Sequence, residues 1–188
     1  MRLNRREVLR GGIAVGLSAA MGKAEAIPYG PSLPSNVVKT RSGAVRGYFA
    51  NGGIFVFKGV PYGMDTAMTR FAAPKPVAAW SGVRECTLWG PRAPQVLGAR
   101  PETEVERKAV KAGYFLPPDE GVQREDCLHL NVWTPELRDV SRRDGKKRPV
   151  MFYIHGGAFA NGTANAALYD GTRLARLHDV VVVTVNID

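Results

Sequence analysis

Apolar and polar positions change their spacing twice along this 188-residue chain. From residue 37 to 60, short β-branched and aromatic runs alternate with turn pairs. Val37-Val38-Lys39-Thr40, the stretch 44–49 and Ile54-Phe55-Val56-Phe57 are parted by Ser42-Gly43 and Asn51-Gly52-Gly53. Asn and Gly tolerate the positive φ of tight hairpins, so this region predicts a small antiparallel meander closed by Pro61. Residues 27–36 read as an extended lead-in. Between 61 and 100, Pro61, Pro74, Pro76, Pro91 and Pro94 forbid long elements. Phe71, Trp80 and Trp89 lie among them, which predicts a loop-rich layer packed on a surface. Residues 101–113 predict a short helix, with Pro101 near its start, acids in the first turn, bases in the last and Gly113 as the stop.

The second half has a different rhythm. Leu128-His129-Leu130-Asn131-Val132-Trp133 alternates apolar and polar and predicts a strand, closed by Thr134-Pro135. The near-continuous apolar run 149–154 predicts a strand buried on both faces. Residues 166–178 predict a helix with Leu174 and Leu177 on one face, and 180–185 is a run of five Val and one Thr. Strand, helix and strand in that order make an α/β unit with a crossover and a parallel pairing. The 180–185 strand is expected in the centre of a sheet, with a bare apolar edge beside it that would template aggregation.

Composition narrows the picture. The chain carries 26 Lys+Arg against 17 Asp+Glu, a net charge of +9. Five basic and two acidic residues fall in 1–26, and six basic and two acidic in 138–148, which leaves +2 for everything else. A nucleic-acid reading would rest on one short run without interleaved aromatics, so that run is expected to be a solvated turn. Residues 1–26 read as an export signal. A charged segment containing Arg5-Arg6 precedes a mildly apolar stretch from 11 to 22, and Ala24-Glu25-Ala26 offers a cleavage pattern. The paired arginines resemble a twin-arginine signal. The apolar stretch is too short to span a bilayer of about 30 Å. The mature domain, 27–188, is therefore expected to be exported, periplasmic or secreted, without a stable membrane anchor. Export permits disulfides, so Cys86 and Cys127 are either a bonded pair or thiols.

Candidate chemistry sits at His155-Gly156-Gly157-Ala158-Phe159, directly after the 149–154 run. Ligands in open α/β sheets lie beyond the carboxyl ends of strands. Consecutive N–H groups in a glycine turn form the oxyanion hole of lipases and esterases. A plain turn between strand and helix is the other reading of the same glycines.

The surroundings favour the first. Glu125-Asp126-Cys127-Leu128-His129-Leu130-Asn131-Val132-Trp133-Thr134-Pro135 resembles the EDCLYLNVWTP signature of the type-B carboxylesterases, α/β-hydrolases that include the cholinesterases. Phe57-Lys58-Gly59-Val60-Pro61-Tyr62-Gly63, Arg70-Phe71 with Pro74, Trp80, Gly90-Pro91 with Pro94-Gln95, Tyr169-Asp170-Gly171 and 180–186 are similar to further segments of that family, in family order. The resemblance implies the N-terminal part of an α/β-hydrolase fold: a small antiparallel meander, then the first strands and a helix of the central mixed sheet. It implies a small-molecule carboxylic ester as substrate, a serine nucleophile and no cofactor. Gly157 and Ala158 would donate the oxyanion-hole N–H groups and Gly156 would make the turn. Arg70 and Glu125 would form a structural salt bridge.

Departures from the family pattern matter as much. The family's first disulfide would join Cys127 to a position occupied here by Ala93, which leaves Cys127 either a buried thiol or the partner of Cys86. No Ser in the chain has Gly two before and two after it, so the G-x-S-x-G nucleophile and its triad partners are expected in sequence beyond these 188 residues, and the chain by itself is expected to be inactive. His155 is expected to orient the loop, His129 and His178 to be packing or surface residues. Asp126, His129 and His155 lack the spacing of a metal site. The competing reading is a catalytically dead binding module on the same fold.

Overall fold

Gly47 divides a run that reads as one strand into strands of two different sheets. The structure, a computed structural model, describes residues 33–35, 37–50, 52–95, 103–111, 121–137 and 147–187. β1 (Leu33–Pro34), β2 (Val38–Lys39) and β3 (Ala44–Arg46) precede this glycine, and β4 (Tyr48–Ala50) and β5 (Ile54–Pro61) follow it. Then come β6 (Val83–Glu85), α1 (Glu104–Lys111), β7 (His129–Thr134), β8 (Val150–Ile154), α2 (Thr172–His178) and β9 (Val181–Val185). The main sheet has the order β1-β4-β5-β7-β9-β8, and β2, β3 and β6 make a second, smaller sheet. A Cβ at position 47 would collide with the Val56 carbonyl, so only glycine lets the chain cross β5 here. Ser35 fixes the crossing. Its N–H donates to the Gly47 carbonyl at 3.0 Å, and its hydroxyl accepts from the Gly47 N–H at 2.9 Å.

The main sheet is mixed. β5 and β9 both pair antiparallel to β7, with Val56 opposite Trp133 and Val132 opposite Val183. β8 runs parallel to β9, with Phe152 opposite Val183, and α2 makes the crossover that the sequence predicts. Tyr48, Ile54, Val56, Trp133, Ala175 and Val182 form one core, while Val45, Phe57 and Cys86 form a second. Trp133 is fully buried between Val56 and Val182 in register, so the strand pattern of the sequence translates directly into the first core.

The predicted helix at 166–178 is broken. A 3₁₀ turn at Ala167–Tyr169 ends at Asp170, whose carboxylate accepts from the Thr172 N–H at 2.9 Å as α2 begins. The helix turns a different face to the sheet from the one expected. Leu174 and Leu177 are exposed, and Ala175 is the buried residue of α2. A Cβ on Gly171 would meet Val182 at 2.7 Å and Trp133 at 3.0 Å. The indole takes the space, so only small residues fit above it.

A larger correction concerns β8. Its five residues, expected to be buried on both faces, are 37–61% exposed. β9 lies between β7 and β8, inside the sheet as expected of the 180–185 strand, and the apolar edge beside it is β8. α2 packs on β5, β7 and β9, and among the described residues only Tyr169 stacks on this strand, 4.5 Å from the Tyr153 ring.

The loop-rich layer packs on the sheets through Trp80 and Trp89, while Phe71, expected to pack with them, is fully exposed. The Trp80 indole N–H donates to the Ala44 carbonyl at 3.0 Å, and the Lys58 ammonium lies 3.8 Å from the centre of the Trp89 ring. The helix expected at 101–113 is α1, where Glu104 pairs with Arg107 and Lys108. Residues 1–26 and most of the basic run lie outside the described residues. Of that run Arg148 is not a solvated charge: it donates to Asp179 at 2.6 Å and Glu136 at 2.7 Å.

Candidate active site

β8 and β9 are parallel, so their carboxyl ends open on the same side of the sheet. The glycine loop leaves β8 there, and Asn186 follows β9 there. Gly157 has φ +140°, Ala158 +52°, Phe159 +60° and Gly162 +118°. A Cβ on Gly157 would overlap the Asn161 carbonyl, so the turn requires glycine at that point. The Gly157 carbonyl accepts from the N–H groups of Ala160 at 3.0 Å and Asn161 at 3.2 Å. Among the described residues the N–H groups of Gly157 and Ala158 meet no acceptor. Two neighbouring donors without an internal partner, at the carboxyl end of a strand, can receive a developing oxyanion.

Left-handed φ at a residue with a Cβ costs on the order of 1–3 kcal/mol, so Ala158 and Phe159 keep it only if the surroundings hold them. A buried amide network does so. The segment after the turn, Thr163-Ala164-Asn165-Ala166, is buried throughout. Asn186 accepts from the Thr163 hydroxyl at 3.0 Å and the Ala164 N–H at 2.7 Å, and donates to the Pro91 carbonyl at 3.0 Å. Asn165 donates to the Gly90 carbonyl at 2.8 Å. Asn131, from the middle of β7, accepts from the Gly59 N–H at 3.0 Å and donates to the Thr184 hydroxyl at 3.0 Å, which in turn donates to the Ala164 carbonyl at 3.1 Å. Asn131, Asn165, Asn186 and Thr184 escaped the site reading of the sequence. For Asn131, Thr184 and Asn186 the signal was there, as polar residues within or at the end of two apolar strand patterns; Asn165, in the segment after the glycine turn, carried none.

His155 packs on the loop. Its Nδ1 lies 2.9 Å from the Gly156 carbonyl and its ring lies against Gly162. His178 is exposed at the end of α2. Arg70 and Glu125 do meet, at 3.5 Å, with Arg70 mostly exposed and the Glu125 carbonyl bonded to Thr66 at 2.8 Å. Cys86 and Cys127 are both buried thiols with no bond between them. Burial pushes Cys86 up to about 11, with Arg84 opposing, so it stays protonated and unreactive. No three His, Cys, Asp or Glu side chains among the described residues are arranged to hold a metal, and no described helix is long and apolar enough to cross a membrane.

A family model described as the carboxylesterase family matches residues 34–187. The chain belongs to the carboxylesterase family. It is 37% identical over 153 residues to para-nitrobenzyl esterase of Bacillus subtilis (strain 168), covering 80% of this chain and 27% of that protein. It is 35% identical over 151 residues to phenmedipham hydrolase of Pseudarthrobacter oxydans, covering 80% and 27%. Among solved structures, the carboxylesterase of Geobacillus stearothermophilus at pH 6.2 matches with a TM-score of 0.60 at 42% identity, covering 81% of this chain and 26% of that one. The fold is thus the N-terminal part of an esterase α/β-hydrolase. The chain spans about a quarter of the length of these carboxylesterases.

Two outcomes are expected of this site. Asn131→Leu strips the Gly59 N–H and the Thr184 hydroxyl of a buried partner and should lower stability by about 2–4 kcal/mol in urea unfolding. The second concerns His129, which burial holds below the usual histidine value of 6.5. The unfolded chain then takes up the proton first, so stability is complete above pH 6.5 and is lost as pH falls below it. Urea midpoints at pH 7.5 and 5.5 should differ for the native sequence and converge for His129→Gln.

Proposed function

We propose that the 155–159 loop is the oxyanion hole of a serine carboxylic ester hydrolase. The observation that carries this reading is the Gly157 and Ala158 N–H pair, which meets no acceptor among the described residues at the end of β8 in a carboxylesterase-family chain. The relative named para-nitrobenzyl esterase supports a small ester as the substrate. A serine hydroxyl supplied by sequence outside these 188 residues attacks the ester carbonyl. The carbonyl oxygen becomes an oxyanion and takes hydrogen bonds from Gly157 and Ala158, an effect worth about 3–4 kcal/mol per donor in comparable sites. A general base takes the serine proton and returns it to the departing alcohol as the C–O bond breaks; the same base then takes a proton from water, which attacks the acyl group, and gives it back to the serine oxygen as the carboxylic acid is released. Arg70 and Glu125 take no part in these steps and hold the loop layer. In the same reading residues 1–26 direct export and are removed after Ala26, which the Arg5-Arg6 pair and Ala24-Glu25-Ala26 support.

The test is complementation. The 188-residue chain is mixed with a polypeptide comprising the remaining three-quarters of para-nitrobenzyl esterase, and hydrolysis of a short-chain p-nitrophenyl ester is followed. Neither part alone should exceed buffer, while the pair should turn over and be silenced by a serine-directed phosphonate. Turnover by the 188-residue chain alone, blocked by the phosphonate, would place a nucleophile within it. A stable but inactive complex would remove the oxyanion-hole assignment. For the leader, N-terminal sequencing of the exported protein should begin at Ile27; an intact Met1 in the exported form contradicts it.

A further inference from the structure

Gln95 lies in the proline-rich layer, outside every strand and helix, yet it holds the far end of the glycine loop. Its side-chain oxygen accepts from the Gly162 N–H at 2.8 Å, and its side-chain nitrogen donates to the Gly162 carbonyl at 2.9 Å and the Ala93 carbonyl at 3.1 Å. One side chain thus satisfies both backbone groups of a single residue, as a neighbouring strand would. Gln95 is itself fixed, because its N–H donates to the Gln123 side-chain oxygen at 2.8 Å. The two segments are laddered beside it: the Arg92 N–H donates to the Val122 carbonyl and the Arg124 N–H to the Arg92 carbonyl, each at 3.0 Å.

Gly162 is the point where such a grip acts on the donors. Its φ of +118° and its close approach to the Gly156 carbonyl and the His155 ring close the turn from one side. Asn161, next to it, closes the turn from the other by donating to the Gly157 carbonyl. The strained Ala158 and Phe159 lie between these two fixed ends, and relaxing their φ would swing the Gly157 and Ala158 N–H groups away. Asn186 grips the chain only from Thr163 onward.

We propose that Gln95 is a positioning residue for the oxyanion donors, acting through Gly162. The proposal rests on the oxyanion-hole reading of the loop, but its first test does not require activity. Amide resonances and hydrogen exchange are measured on the full 188-residue chain. Gln95→Leu removes both bonds to Gly162. Gln95→Glu keeps an acceptor for its N–H and sets a carboxylate oxygen against its carbonyl. Gln95→Leu should speed exchange of the Gly162 amide at least about 10-fold and shift the Gly157 and Ala158 resonances, with Leu130 and Val183 amides unchanged and Gln95→Glu intermediate. In the complemented enzyme, Gln95→Leu should lower kcat by about 100-fold with KM within about twofold, the signature of misplaced catalytic groups. Unmoved Gly157 and Ala158 resonances overturn the proposal. So does an equal loss of protection across β7 and β9, which would mark general destabilisation, or a Gly162 amide unprotected in the native sequence. If complementation gives a stable complex without activity while the amides respond as expected, the oxyanion-hole reading fails and the Gln95 clamp stands.

Discussion

Asn131, Asn165 and Asn186 share one patch of the interior from which water is excluded, and every other feature of the site hangs from them. A side-chain amide carries two donors and two acceptor lone pairs, so it can join several backbone groups that no regular ladder reaches. Here the amides join β7, the bulge of β5, the Gly90-Pro91 loop and the segment after the glycine turn. A lost partner in such a place costs about 1–3 kcal/mol for each stranded group, which makes the network close to all-or-none. It fixes the chain from Thr163 onward, just beyond the turn in which Ala158 and Phe159 take a backbone region that a residue with a Cβ avoids.

The loop layer has its own part in this. A proline-rich stretch lacks the N–H groups and φ range to build a sheet, so its carbonyls are left over as acceptors. Gly90 and Pro91 give theirs to Asn165 and Asn186, and Ala93 gives one to Gln95. Segments that look structureless along the chain thus become the counterpart of the amide network. The bulge in β5 belongs to the same joint. Gly59, with φ +65°, brings its N–H to Asn131 and its Cα close to Gly90, which gives a physical meaning to the glycine in Phe57-Lys58-Gly59.

Much of the fold was legible from periodicity, because β7, β8 and β9 are set by runs of apolar residues that no helix pattern fits. The parallel pairing followed from the helix between two of them, and the position of the glycine turn from its place directly after a strand. What stayed hidden depends on partners remote in sequence. Nothing local to 44–49 says that Gly47 must slip past the Val56 carbonyl. The burial of 150–154 was inferred from its composition, yet exposure is decided by which element covers a strand, and α2 goes elsewhere. Leu174 and Leu177 had the right spacing for a core face, but the Trp133 indole had already filled that volume and left room for Ala175 alone. The Asn131 network was invisible as a network because its members are scattered from 59 to 186, and no single one of them signals its partners locally.

The exposed β8 carries a consequence for the order of events in time. Five residues without a charge offer the same unpaired backbone to any extended segment they meet, so the strand has no chemical means of choosing. Selection must then come from rates. Pairing with a segment on the same polypeptide is first order, while pairing with another copy rises with concentration. At the described sheet edge, self-association of this strand is therefore a question of concentration as well as of fit.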